Sequence, residues 1–130
     1  MAKPEKTRNL GTWTEAKYWG AIRSHLRRLF RHNWEPKKRA LLLARRPSQN
    51  SSRPQLKWEF QCVECKKWFP REGVEIDHVV PCGSLLHEDD LKSFLSRYLP
   101  ESVSAYQILC EEDHNSKTQH ERAERSSKKK

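Results

Sequence analysis

The sequence is poor in apolar residues and has no long run of them. Of its 130 residues, 35% are hydrophobic and 33% are charged, so we expect a modest core of the kind that a bound metal helps to stabilise. The longest apolar run, Ala40–Ala44, is far too short to span a bilayer, and the first residues lack the apolar segment of an export signal. These absences predict a cytoplasmic protein that is neither secreted nor embedded in a membrane.

Acidic residues are scarce in the first half of the chain. Residues 1–58 contain fifteen Lys and Arg but only three Asp and Glu, whereas residues 59–130 contain eleven and fourteen. The whole chain has a formal net charge of +9. Such a surplus favours a polyanionic partner, because phosphate contacts relieve the mutual repulsion of the cations. We therefore expect the first half to contact nucleic acid.

The same half is predicted to be helical. Apolar residues between Trp13 and Leu29 recur every three or four positions, which predicts an amphipathic helix over residues 13–31 that starts with a capping box at Thr12 and Glu15. A second, shorter basic helix follows. The alternative is that both helices only pack in the core, and that their Lys and Arg side chains are simply exposed to water. The favoured interpretation assigns contact with DNA or RNA to six basic residues of these helices: Arg23, Arg27, Arg31, Lys37, Lys38 and Arg39.

The predicted organisation has three parts. Residues 1–55 form a basic helical arm, which ends in a linker rich in proline and serine over residues 47–55. The next part is an α+β domain over residues 56–126, and the last is a disordered basic tail over residues 127–130. Within the domain we expect short strands near 57–61, 66–69, 74–80 and 105–110, and a final helix near 111–126.

Four cysteines are present, and two of them form a Cys62-x-x-Cys65 pair. In a reducing compartment such a pair more often binds metal than forms a disulfide. The sequence therefore predicts thiolates on zinc rather than disulfides.

Three motifs follow one another in an informative order: Cys62-x-x-Cys65, then Ile76-Asp77-His78-Val79-Val80-Pro81, then Leu109-Cys110-Glu-Glu-Asp113-His114-Asn115-Ser-Lys117-Thr118. Together they resemble the HNH endonuclease family over about residues 58–120. The basic helices upstream resemble the N-terminal part of HNH proteins of tailed bacteriophages, for which the compartment would be the host cytoplasm. The resemblance implies a ββα-metal core, in which a hairpin carrying the Asp-His pair packs on a helix. Residues 83–104 would enlarge the hairpin loop.

The resemblance also implies residue roles. His78 would be the general base, Asp77 and His114 would hold a catalytic Mg²⁺ or Mn²⁺, and Lys117 would contact a DNA phosphate. Structural zinc would be held by Cys62, Cys65, Cys110 and Asp113, where Asp113 stands in place of the family's fourth cysteine and Cys82 is a rival fourth ligand. The chemistry is consistent with these residue types, because phosphodiester hydrolysis needs a base for water and a cation for the phosphate.

Two points limit this interpretation. Neighbouring side chains of a regular strand leave opposite faces, so Asp77 and His78 share a site only where the strand ends or bulges. An Asp-His pair is also frequent by chance. The alternative function is a non-cleaving zinc module that binds nucleic acid, accessory to DNA packaging or regulation, and a third is an RNA-binding zinc protein of ribosomal type.

Overall fold

The computed structural model of the protein describes residues 2–128. Within them the chain forms four α-helices and seven short strands, which pair into small antiparallel sheets. The predicted α+β class is therefore confirmed. In chain order the elements are β1 (Lys6–Arg8), β2 (Trp13–Thr14), α1 (Glu15–Asn33), α2 (Glu35–Leu43), β3 (Arg45–Pro47), β4 (Trp58–Gln61), β5 (Trp68–Phe69), β6 (Val74–His78), α3 (Leu91–Tyr98), β7 (Tyr106–Cys110) and α4 (Glu111–Lys128).

These elements divide into two compact units. The first contains described residues 2–34 and 82–100, and the second contains 35–81 and 101–128. This division differs from the predicted boundary at residue 55, because α2 and β3 group with the later strands. The segment inserted between β6 and β7 groups with the N-terminal residues.

The first unit is built around α1. Trp19 on this helix is buried together with Leu85 and Phe94 from the inserted segment, and further apolar side chains of α1 pack around them. The apolar stripe that predicted the helix is therefore a packing face. Burial of these aromatic and leucine side chains joins α1 to α3.

The start of α1 corrects the predicted capping box. The N-cap is Thr14, whose hydroxyl accepts a hydrogen bond from the Lys17 amide at 3.2 Å. The Thr12 hydroxyl instead donates to the Asn9 carbonyl at 2.7 Å in the turn between β1 and β2. The Glu15 carboxylate pairs with the Arg8 guanidinium, with Nε to Oε1 at 2.7 Å. The hairpin thus takes up both groups that the capping box required.

The second unit is built around the β6–β7 hairpin. The antiparallel ladder runs without a shift from Val74 opposite Cys110 to His78 opposite Tyr106. On one face, Val74 and the other core residues pack with Leu41 of α2. Helix α4 also packs against both strands, and it meets the face that carries Asp77. The hairpin therefore lies between α2 and α4.

Two predicted segments differ from expectation. Residues 47–55 are not a linker between domains, because β3 and β4 pair as antiparallel neighbours and the segment closes their loop. The loop is held by an ion pair between Arg53 and Glu72 at 2.8 Å. Helix α4 continues to Lys128, so residues 127 and 128 are helical, and residues 129–130 of the predicted tail lie outside the described residues. None of the helices in residues 2–128 has the length and apolar character needed to cross a bilayer.

Candidate metal centres

The first candidate centre joins three parts of the second unit. Cys62 follows β4, and a tight turn brings the chain to Cys65, with the Lys66 amide donating to the Cys62 carbonyl at 3.0 Å. Cys110 ends β7, and Asp113 lies in the first turn of α4. The spacing of two residues in each pair suits a turn and a helix start. We call these four residues the cysteine cluster.

The ligand atoms of the cysteine cluster converge. One atom from each residue lies within 4.8 Å of all the others. The Cys62 and Cys110 thiols donate to the same oxygen of Asp113, at 3.1 Å and 3.3 Å. Bonds of about 2.3 Å to a tetrahedral zinc would place sulfur atoms about 3.8 Å apart, so only a small contraction is needed. The cluster can therefore hold a metal ion.

Burial shapes the electrostatics of the cysteine cluster. Burial raises the pKa of the Cys110 thiol to about 12, and hydrogen bonding with Asp113 and Cys62 also contributes. Hydrogen bonds from Cys62 and then Cys110 lower the pKa of the Asp113 carboxyl. The Cys110 thiol would therefore give up its proton on binding a strong cation such as zinc. An open cavity of about 640 Å³, bordered by Cys65, Cys110 and Asp113, gives an ion access.

The rival ligand Cys82 is not part of this group of donors within residues 2–128. It belongs to the first unit, where its thiol donates to the Arg97 carbonyl at 3.3 Å. The sequence left Asp113 and Cys82 open as the fourth ligand, and the geometry selects Asp113. The carboxylate can reach the ion because the first turn of α4 places it beside Cys110.

The second candidate centre lies between β6 and α4, around Asp77. The Asp77 Oδ1 atom is 3.9 Å from His114 Nε2, and Asp77 Oδ2 is 2.7 Å from Lys117 Nζ. His114 and Lys117 are one turn apart on α4, so they face the strand together. These three residues form what we call the Asp77 cluster. The structure thus brings together three residues that the sequence assigned to one site.

Two further residues hold the Asp77 cluster in place, and the sequence analysis did not identify them. Gln107 donates through Nε2 to Asp77 Oδ2 at 3.0 Å. It lies directly opposite Asp77 in the ladder, a pairing that only the strand register reveals. Glu121 pairs with Lys117, with Oε1 to Nζ at 2.8 Å. Its position four residues after Lys117 is the signal that could have indicated this pair.

The ammonium group of Lys117 is already engaged. It lies between Asp77 and Glu121 and also donates to the His78 carbonyl at 2.8 Å. Burial lowers the pKa of Lys117, but the hydrogen bonds to Asp77 and Glu121 more than offset this, so the pKa is raised. The Asp77 carboxylate therefore has a cationic partner from the chain itself, and the predicted phosphate contact requires Lys117 to exchange partners.

The His78 side chain has different contacts from the Asp77 side chain. The ladder is regular through His78, which is the last residue of β6. The His78 ring packs on its cross-strand partner Tyr106, with the ring centroids 5.3 Å apart, whereas Asp77 bonds to its own partner Gln107. The pleat therefore directs the two side chains to opposite faces. The ladder has no bulge at Asp77 and His78. A site that contains both side chains therefore depends on β6 ending at His78.

The six basic residues predicted to contact nucleic acid differ in burial and in their contacts within the chain. Arg23 donates to the Leu85 carbonyl at 2.6 Å. Lys37 is buried, and Lys38 pairs with Glu35 at 3.7 Å. Arg27, Arg31 and Arg39 are exposed, as is Lys38, so these side chains are the most accessible to a polyanion.

Comparisons of the chain with protein-family models, with curated proteins and with solved structures found no match. The likeness to the HNH family therefore rests on the motifs themselves. The structure adds a donor set at the cysteine cluster that can hold a metal ion. It also brings Asp77 of β6 close to His114 and Lys117 of α4.

Proposed function

We propose that the chain is a metal-dependent endonuclease of the HNH type that hydrolyses DNA phosphodiester bonds with one divalent ion. The observation that carries the proposal is the approach of Asp77 from β6 and His114 from α4 to 3.9 Å. A carboxylate and an imidazole at this distance can ligate the same ion. They come from a strand hairpin and a helix, which is the ββα arrangement that the motifs imply.

Asp77 and His114 would bind Mg²⁺ or Mn²⁺ and leave most of the coordination positions to water and a phosphate oxygen. When bound, the ion supplies positive charge that stabilises the transition state and the leaving 3′ oxygen. Gln107 orients the Asp77 carboxylate through its hydrogen bond. His78 is the general base of the proposal. It is the last residue of β6, and this role requires its ring to turn from Tyr106 toward the Asp77 cluster.

The cysteine cluster would hold a structural zinc ion. Its ligands come from the turn after β4, the end of β7 and the start of α4, so one ion would tie these three elements together. Two of its residues, Cys62 and Cys110, are buried, and a small core benefits most from such a bond. This zinc would fix the first turn of α4 and thereby the position of His114.

The test is a supercoiled-plasmid assay with the zinc-loaded protein. Nicks should appear with Mg²⁺ or Mn²⁺, cease when these ions are withheld, and return when they are added back. The nicks should be sealed by DNA ligase, because the family's products carry 5′-phosphate and 3′-hydroxyl ends. His78→Ala should abolish cleavage and retain binding to DNA. His120→Ala is the matched control, since this exposed histidine on α4 pairs with Glu124 and should cleave as the parent does.

A second candidate function is a zinc module that binds nucleic acid without cleaving it, accessory to DNA packaging or regulation. Two contacts favour it: Lys117 neutralises Asp77, and His78 packs on Tyr106. A module of this kind would shift the mobility of DNA at low salt and leave the plasmid intact with every ion tested. Equal affinity for structured RNA at matched salt would favour an RNA target.

A further inference from the structure

The turn between β1 and β2 presents a leucine side chain to solvent. Leu10 is fully exposed, at 103% of its reference area. The turn places three consecutive residues in the left-handed region, with φ values of 54° at Asn9, 56° at Leu10 and 76° at Gly11. Glycine adopts this conformation freely and asparagine tolerates it, but leucine does so at a steric penalty.

Packing of the Leu10 side chain does not offset this penalty. A fully exposed side chain makes no packing contact with the other described residues, and its apolar surface remains in water. The hydrogen bonds that hold the turn come from Arg8, Asn9 and Thr12 and need no leucine at position 10, so a leucine in this strained conformation points to a function outside the chain. Isolated exposed leucines are common, so the strain is what sets Leu10 apart from exposed leucines such as Leu43 on α2.

The turn is also held firmly. The Thr12 amide donates to the Arg8 carbonyl at 3.1 Å, and the Thr12 hydroxyl bonds to the Asn9 carbonyl. The Arg8 guanidinium pairs with Glu15 and lies 4.2 Å from the centre of the Tyr18 ring. The strands are thereby fixed to α1, and the leucine is presented on a rigid support.

The charge around the turn suits an anionic partner. Three lysines, Lys3, Lys6 and Lys17, are exposed in residues 3–17, which contain the hairpin and the start of α1, against two exposed acids, Glu5 and Glu15. The first unit as a whole contains ten Lys and Arg against five Asp and Glu. Cations beside a projecting apolar side chain match duplex DNA, whose phosphates flank the groove and whose stacked bases accept an apolar wedge.

We propose that Leu10 is a wedge that inserts between stacked base pairs of duplex DNA, while the neighbouring lysines contact the phosphates. The inference rests on the proposed function in taking DNA as the partner, but it requires no cleavage. The wedge would bend or open the duplex, and it would do so through the first unit, which contains no residue of the cysteine cluster or of the Asp77 cluster.

The test measures duplex opening with no added divalent ion, so that binding is observed without cleavage. Duplexes that contain 2-aminopurine should brighten when the parent protein binds, and Leu10→Ala should lose this signal and bind about tenfold more weakly. Leu10→Phe should retain the signal. Leu43→Ala removes another highly exposed leucine, at 79% of its reference area, and should behave as the parent.

Leu10→Gly adds a readout that a structural role would not give. Glycine relieves the left-handed strain, so the unfolding temperature should not fall, while DNA binding should weaken as in Leu10→Ala. A fall in unfolding temperature would assign Leu10 to the fold and overturn the proposal.

Three other outcomes would also overturn it: a parent protein that does not bind DNA, a Leu10→Ala protein that opens the duplex normally, or a Leu10 effect seen only on anionic lipid vesicles. Cleavage of plasmid by the same variants with Mg²⁺ separates the two proposals. Duplex opening without cleavage would contradict the nuclease proposal and support the Leu10 wedge. Cleavage together with duplex opening that does not depend on Leu10 would support the nuclease and contradict the wedge.

Discussion

The two clusters on α4 balance their negative charge in different ways. In the cysteine cluster, buried thiols share one Asp113 oxygen, and burial keeps Cys110 protonated by raising its pKa. In the Asp77 cluster, the carboxylate is paired with Lys117 at 2.7 Å. The first arrangement needs an external cation to form thiolates, whereas the second is neutralised by the chain. The two proposed metal sites, which share residues of α4, should therefore differ in their affinity for an ion and in their effect on folding.

The largest expected effect is loss of the fold when the cysteine cluster is broken. Cys62→Ser removes a fully buried ligand, and structural zinc in small domains contributes on the order of 10 kcal/mol to folding. We expect zinc content to fall from one ion per chain to nearly none, with cooperative unfolding lost in calorimetry. Cys82→Ser is the control and should keep one zinc. A Cys62→Ser protein that retains both zinc and its unfolding transition would contradict the assignment.

The next effect is loss of cleavage without loss of fold. His114→Ala removes one ligand of the Asp77 cluster and should reduce the nicking rate by at least about 100-fold. The zinc content and the unfolding temperature should stay close to those of the parent. Unchanged nicking in His114→Ala would contradict the role of His114 as a ligand of the catalytic ion.

A smaller effect should follow from removal of the internal cation. Lys117→Met keeps the length of the side chain but frees the Asp77 carboxylate. Affinity for Mn²⁺ at the Asp77 cluster should rise on the order of tenfold, since the ion no longer competes with an ammonium group. Titration of Mn²⁺ followed by electron paramagnetic resonance measures this directly. Weaker Mn²⁺ binding in Lys117→Met would mean that Lys117 supports the site and does not compete for it.

The smallest effect concerns pH. The pKa of Lys117 is raised above its ordinary value of 10.5 by its bonds to Asp77 and Glu121, against the opposing influence of burial. The stabilisation from the charged form is thus fully present below about pH 10.5 and is lost as pH rises through the higher folded value. The difference in unfolding free energy between the parent and Lys117→Met should be constant from pH 7 to 9 and should shrink above pH 10.5. A difference that disappears between pH 7 and 9 would contradict the pairing.

Local signals predicted most of the second unit. The alternation around Trp58 and Phe60 and the apolar run before Cys110 correspond to β4 and β7. The Cys62-x-x-Cys65 pair predicted a metal site, and the resemblance of the motifs added Cys110 and Asp113, which the structure brings beside the pair. These features depend on a few neighbouring residues, which is the range over which pattern and propensity act.

Long-range features were not predictable in the same way. The grouping of residues 82–100 with α1 depends on how Leu85 and Phe94 pack against Trp19. The N-cap is Thr14 and not Thr12, because the Thr12 hydroxyl is bonded to the Asn9 carbonyl in the hairpin turn. The partners of Asp77 likewise depend on the register of two strands that are distant in sequence. Each outcome is decided by tertiary contacts that a single sequence does not encode in a recognisable pattern.

The central claim is that Asp77 and His114 share one divalent ion distinct from the ion of the cysteine cluster. Anomalous diffraction from crystals soaked in Mn²⁺, recorded at both the manganese and the zinc absorption edges, tests it directly. The account predicts a manganese peak between the Asp77 carboxylate and the His114 ring, with zinc confined to Cys62, Cys65, Cys110 and Asp113. Manganese that binds elsewhere, with Lys117 still paired to Asp77, would contradict it.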